Sequence, residues 1–227
     1  SIFSKMIKDK KIKNIKWERW SNSCRKNYIE YSTPPKYSSE PDMGKIMLIL
    51  REYMPKNTII TIDAGNFSGW IQRFWKYTEV KTQLAPTSGA MGYSIPAAIS
   101  AKIAKKSTPV IAFCGDGGFM MSSQELATCN QYKIKPIIII INNKMLGTIR
   151  MHQEKHYPKR KIATDLVNPD FKVLSKSYNA HYENIKNHKQ FLKALKRSIA
   201  ANKAAVIEIE VDPQQITTRQ KMKDLNQ

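Results

Sequence analysis

The residues in this chain best placed to do chemistry are a carboxylate at the tip of one apolar run and a carboxamide at the tip of the next. Gly115-Asp116-Gly117-Gly118 follows VIAFC, and Asn142-Asn143 closes five consecutive isoleucines, so Asp116 and Asn143 stand 27 positions apart. Glycines let the backbone turn tightly and come close to a ligand. A helix starting behind them presents unpaired N–H groups and a positive dipole end. That setting suits a phosphate. Asp116 would oppose a phosphate unless a cation lay between them. A carboxylate oxygen, an amide oxygen, a backbone carbonyl, water and phosphate oxygens together make the octahedral oxygen set that Mg²⁺ prefers. The pair therefore reads as a site for Mg²⁺ and a diphosphate. Either motif alone is explained as a turn or a strand end. The two together, with strand, helix and strand in sequence, are far more specific.

Positioning these groups falls to an alternation of strands and helices. PDMGKIMLILREYMP reads as a helix with Asp42 as its N-cap. NTIITIDAG reads as a strand and turn, NFSGWIQRFWKY as a helix, and YSIPAAISAKIAKK as a small-residue helix. TPVIAFCGDGG is a second strand, FMMSSQELATCNQYKI one helix, and KPIIIIINN a third strand. MLGTIRMHQEKHYP begins a helix or loop, and NPDFKVLSKSYNA a helix capped by Asn168 or Asp170. KNHKQFLKALKRSIAANK is an amphipathic helix and AAVIEIEVDP a last strand. Continuous apolar strands alternating with helices predict an α/β fold, a doubly wound parallel sheet with helices on both faces. Ligands bind such sheets at the carboxyl ends of the strands. The tips are Asp63–Phe67, Gly115–Gly118 and Asn142–Gly147. Before this pattern, residues 1–40 read as a basic linker ending in STPPKYSSEPD, with one helix between Ile12 and Tyr31 whose packing residues are Trp17, Trp20 and Tyr28. Residues 41–213 form the domain and 214–227 a tail.

The bulk composition narrows the class. A chain of 227 residues holds one sizeable domain with an appendage. The isoleucine run is strand-length, far short of a membrane span of about 20 residues. The basic stretch Ser1–Lys16 lacks the apolar core of a signal peptide, and the absence of an initial methionine points to a start inside a longer polypeptide. Cys24, Cys114 and Cys129 show no metal-ligand spacing, which fits a reducing cytoplasm. The net charge of +20 is large, but the lysines are spread along a chain also rich in isoleucine and asparagine. No zinc-finger, RNP-like or helix-turn-helix pattern accompanies it, so a nucleic-acid role is not expected.

The GDG…NN stretch resembles the cofactor motif of the thiamine-diphosphate-dependent enzymes, in particular the acetolactate-synthase-like group. TIITIDAGNFSGW, TSGAMGYSIPAAISAKIA and NNKMLGTIR resemble other parts of that family's C-terminal, diphosphate-binding domain. The resemblance covers Pro41 to Pro213. It implies that Asp116 and Asn143 bind the metal through their side chains and Met145 through its carbonyl. Gly115, Gly117 and Gly118 lie at the diphosphate, with Asn66, Phe67, Leu146, Gly147 and Thr148 beside it. Gly89 and Met91 meet the aminopyrimidine through the backbone, and the Met91 side chain is the catalytic wedge under the bent cofactor. Glu125, in SSQELAT, reads as structural. Ser94 stands at a helix start where the family commonly has glycine.

The resemblance also implies a chemistry and partners. The cofactor serves as electron sink for decarboxylation of a 2-oxo acid such as pyruvate, followed by carboligation, so the enzyme would be a transferase or lyase. The activating glutamate comes from the N-terminal, pyrimidine-binding domain of a partner subunit in a homodimer or tetramer. Nothing here matches that domain, so the chain looks like half an active site. FAD, where the family has it, sits mainly on the central domain and belongs to the full-length enzyme. Acetolactate synthases usually carry tryptophan nine positions after the metal-binding asparagine, where this chain has His152. Arg150, His152, His156 and Arg160 are then candidates for recognising an acidic substrate, or a solvated basic helix. The alternatives are another thiamine-dependent decarboxylase or carboligase, and a non-catalytic basic binding module.

Overall fold

Five isoleucines in a row cannot all face one way in a strand, because successive side chains point to opposite faces. In the computed structural model, which describes residues 16–225, the run divides between two cores. Ile137, Ile139 and Ile141 pack into one layer and Ile138 and Ile140 into the other. The sheet is therefore buried on both faces, as the apolar strands predict.

The chain divides into two compact units, with the boundary along the sequence between Pro34 and Pro35. The first holds helix α1 (Glu18–Tyr31), in which no residue is buried. Trp17, Trp20 and Tyr28 are exposed, so their expected packing role is not seen in this unit. The expected start of that helix, Ile12–Ile15, lies outside the described residues.

The second unit runs α2 (Met43–Tyr53), β1 (Ile59–Ile62), α3 (Ser68–Phe74), β2 (Gln83–Leu84), α4 (Ser94–Ala104), β3 (Val110–Gly115), α5 (Asp116–Ser122), α6 (Leu126–Gln131), β4 (Ile137–Asn142), α7 (Gly147–His156), α8 (Phe171–Ser177), β5 (His181–Ile185), α9 (Phe191–Ala200) and β6 (Ala205–Glu210). The six strands form one sheet in the order β2-β1-β3-β4-β6-β5, and every pair is parallel. Helices α2, α3 and α9 cover one face, through residues such as Leu50, Phe74 and Leu195. Helices α4, α5, α6 and α8 cover the other, where Phe119 meets Phe171 edge to face at 5.3 Å. Asp42 caps α2 by accepting the Lys45 N–H at 3.1 Å, and Asp170 caps α8 by accepting that of Val173 at 3.0 Å.

Three features depart from the sequence reading. Strands β2 and β5 were not expected. The stretch read as one helix from Phe119 is α5, a 3₁₀ turn at Ser123–Glu125, and α6. The break falls at the serine pair Ser122–Ser123, a residue type that favours helix ends over interiors. Finally, α5 begins at Asp116 itself, so Asp116 and both following glycines lie within its first turn.

Candidate active site

Strands β3 and β4 are neighbours, and Gly115 lies opposite Ile141 in their register. Asp116 and Asn142–Asn143 therefore leave the sheet side by side, which answers why the chain keeps them 27 positions apart. A cavity of about 240 Å³ opens at this carboxyl edge. Its wall includes Asn66, Phe67, Gly89, Met91, Gly115, Asp116, Gly117, Gly118, Asn143, Met145, Leu146, Gly147 and Thr148. The structure thus brings the residues expected at the metal, the diphosphate and the pyrimidine to one place.

Asp116 is 2% exposed. Burial pushes its carboxyl above the ordinary aspartate range, against the pull of hydrogen bonds from Asn168 and from backbone N–H groups. Asn168 Nδ2 donates to Asp116 Oδ2 at 2.7 Å. Among the described residues no lysine, arginine or histidine forms an ion pair with Asp116. A buried carboxylate facing a cavity with only neutral partners is short of positive charge. Asn143 stands beside it, with Oδ1 accepting the Met145 N–H at 3.2 Å.

Neighbouring side chains pack closely over the glycines of the turn. A Cβ on Gly117 would lie 3.1 Å from Leu146 Cδ2 and 3.3 Å from Met91 Cε. The Met91 side chain therefore reaches across to the GDGG turn, and at 37% exposure it also borders the cavity mouth. Met91 is held there by a residue that sequence reasoning placed only at a strand tip. Asp63, 2% exposed, accepts the Gly92 N–H on Oδ2 at 2.9 Å and the Ser94 N–H on Oδ1 at 2.5 Å. The Thr61 hydroxyl donates to the Ser94 carbonyl at 2.7 Å. These bonds staple the Gly89–Ser94 turn to the end of β1. Burial raises the Asp63 carboxyl above its usual range, opposed by the same N–H donors. On the opposite side, Thr148 Oγ1 accepts the Asn66 N–H at 3.0 Å and donates to Asn66 Oδ1 at 3.1 Å, which ties the β1 turn to the start of α7.

Comparison with known proteins places this geometry. The family model described as thiamine pyrophosphate enzyme, C-terminal TPP binding domain, matches residues 63–209. The chain belongs to that family. Within it the chain is acetolactate-synthase-like. It is similar to the probable acetolactate synthase large subunit of Methanocaldococcus jannaschii, 39% identical over 160 residues that make up 70% of this chain and 27% of that protein. It is similar to the corresponding Methanococcus aeolicus protein at 33% over 217 residues, 91% of this chain and 36% of that one. It thus spans between 27% and 36% of the length of these relatives. A solved structure, the thiamine diphosphate-dependent 4-hydroxybenzoylformate decarboxylase of Rhodococcus jostii RHA1, superimposes with a TM-score of 0.73 over 79% of this chain and 34% of that one, at 24% identity. That likeness speaks for the fold.

Other parts of this TPP-binding domain correct the residue-level reading. Arg150 is neither solvated nor free to meet a substrate. It is buried on α7, donates through Nε to Thr164 Oγ1 at 2.7 Å, and pairs with Asp165. His152 and His156 are exposed, with their rings stacked at 6.0 Å, and with Arg160 they lie outside the cavity wall. Glu125 also lies outside the wall and accepts from the Thr128 hydroxyl at 2.9 Å. Sequence reasoning missed Asp63 as a clamp, Asn168 as the partner of Asp116, and the wall residues Trp70, Asp212 and Gln215. Asn168 had been read only as a helix cap, and the cap is Asp170.

Proposed function

We propose that the cavity takes thiamine diphosphate with Mg²⁺, and that the chain serves as the cofactor-binding part of an acetolactate-synthase-like enzyme acting on a 2-oxo acid of the pyruvate type. The observation that carries this reading is Asp116: a buried carboxylate at the β3 tip, beside Asn143, with neutral partners only. A divalent cation matches that donor set, and Gly117 and Gly118 line the cavity with no side chain of their own, so a ligand can approach their backbone. Asp116 and Asn143 would hold the metal by their side chains and Met145 by its carbonyl. Gly115, Gly117 and Gly118, with Asn66, Phe67, Leu146, Gly147 and Thr148, would border the diphosphate. Gly89 and Met91 would meet the pyrimidine end, with Met91 fixing the relative placement of the rings. When bound, the cofactor supplies an electron sink for loss of carbon dioxide from a 2-oxo acid. In this reading residues 41–213 are the cofactor-binding body, 1–40 a connection and 214–227 a tail. The remaining groups come from the pyrimidine-binding domain of a partner subunit.

The test is calorimetric titration of thiamine diphosphate with and without Mg²⁺. The chain binds only with the metal, and Asp116→Ala lowers affinity by at least tenfold, a loss of about 1.4 kcal/mol. Equal binding by Asp116→Ala, or binding indifferent to a chelator, overturns the proposal.

A further inference from the structure

Glu208 is a buried carboxylate that takes no part in the cavity wall. It lies on β6 with 7% exposure, opposite Ile140 of β4 and Asn184 of β5. A carboxylate in the middle of a covered sheet is costly unless its oxygens are satisfied. Both are, by its diagonal neighbours on the two flanking strands. Asn142 Nδ2 donates to Oε1 at 2.6 Å, and the Tyr182 hydroxyl donates to Oε2.

This arrangement has a direction. A carboxamide has a donating end and an accepting end, whereas an ionised carboxylate only accepts. Glu208 therefore fixes which way round Asn142 stands, with NH₂ toward β6 and Oδ1 away from it. Asn142 Oδ1 then accepts from the Lys144 N–H at 3.1 Å and from Asn168 Nδ2 at 3.1 Å. The same Asn168 Nδ2 donates to Asp116 Oδ2 at 2.7 Å. A flipped Asn142 would set its oxygen against Glu208 and its NH₂ against two other donors. The polarity of Glu208 is thus passed through two carboxamides to Asp116.

We propose that Glu208 is a positioning residue for the metal-binding carboxylate, acting through Asn142 and Asn168 to hold Asp116 in one orientation at the cavity wall. The proposal rests on the reading of Asp116 as a metal ligand given above. It also accounts for a charged residue in a strand position where an apolar one would serve the fold.

Mn²⁺ serves as the probe, since free and bound ion are told apart by electron paramagnetic resonance. It is titrated into the 227-residue chain in the presence of thiamine diphosphate, with thermal unfolding recorded in parallel. Glu208→Met removes the acceptor at similar length and weakens Mn²⁺ binding about tenfold or more, the range for partners of metal ligands. Glu208→Gln keeps an acceptor for Asn142 and restores most of the affinity. Asn168→Ala, in the loop before α8, weakens binding to a similar extent. The double variant Glu208→Met/Asn168→Ala loses no more than Asn168→Ala alone, because Glu208 acts through Asn168. Where Glu208→Met melts early, Glu208→Leu/Tyr182→Phe replaces both partners with apolar groups, leaves no orphaned hydroxyl, and gives the same comparison. Additive losses, wild-type affinity in Glu208→Met, or equal losses in the Gln and Met variants overturn the proposal. Asp116→Ala separates the two levels. If it binds Mn²⁺ as the wild type does, the metal-ligand reading fails. If it loses binding while Glu208→Met keeps it, the relay alone fails.

Discussion

At the scale of single residues, the cavity is governed by two aspartates with different tasks. Asp63 binds backbone N–H groups and shapes a turn, and Asp116 faces the cavity with neutral partners. Burial raises the carboxyl of each above its ordinary range. The sign of the linkage follows. Between the ordinary and the raised value the folded chain keeps protons that the unfolded chain has released, so stability falls as pH rises through that window. For the cofactor-free chain the expected outcome is a stability that drops as pH rises above the ordinary aspartate value of about 4, more steeply in the wild type than in Asp116→Asn. Bound Mg²⁺ favours the ionised form, so saturating metal and cofactor flatten or reverse the Asp116 share. Urea unfolding across this range checks it. Parallel curves for wild type and Asp116→Asn would show that Asp116 titrates as an ordinary exposed carboxylate.

At the scale of elements, the junction of α5, β1 and the Gly89–Ser94 turn is the tightest contact at the site. A Cβ on Gly118 would lie 2.3 Å from Asp63 Oδ2, an oxygen already fixed by the Gly92 N–H. Gly118→Ala should therefore break the clamp and cost about 1–3 kcal/mol, as overpacking does. Gly69→Ala is the control, because its Cβ would sit in α3 at an ordinary 3.6 Å from Thr218 Cγ2. A thermal melt in which both variants behave alike would refute the clamp. The sequence disclosed the elements around this junction because their apolar runs are continuous and the Asp42 cap is explicit. It concealed β5, since HYENI is an edge strand held by polar pairs such as Arg197 with Glu183 at 2.6 Å and Asn184 with Glu210 at 2.8 Å. It concealed β2 because two residues carry no period. The wall residues named from the motifs do meet at one cavity. Asn168 and Glu208 were hidden for another reason: a cap-like Asn and a Glu within VIEIEV look like loop and solvent face, and only the register shows them converging on Asp116.

At the scale of the whole molecule, two properties remain to be weighed, the open site and the charge. The cavity is lined in part by Met91 and Ile149, both exposed, and among the described residues its wall contains two carboxylates, Asp116 and Asp212. The chain alone should bind cofactor yet release no carbon dioxide from pyruvate with thiamine diphosphate and Mg²⁺ present, and robust turnover would contradict the proposed division between subunits. The net charge of +20 then calls for a use other than base recognition. A basic surface raises the encounter rate of an anionic cofactor. Surface lysines are screened over about 8 Å at physiological ionic strength, while a buried metal–diphosphate site is screened much less. Affinity for a mixed DNA duplex should therefore be weak and vanish as salt rises to that level, since nonspecific phosphate contacts release counterions. Thiamine diphosphate binding should survive the same change. Paired titrations at low and near-physiological salt measure both. DNA binding that is sequence-selective and persists at the higher salt would make the charge a nucleic-acid footprint and displace the steering account.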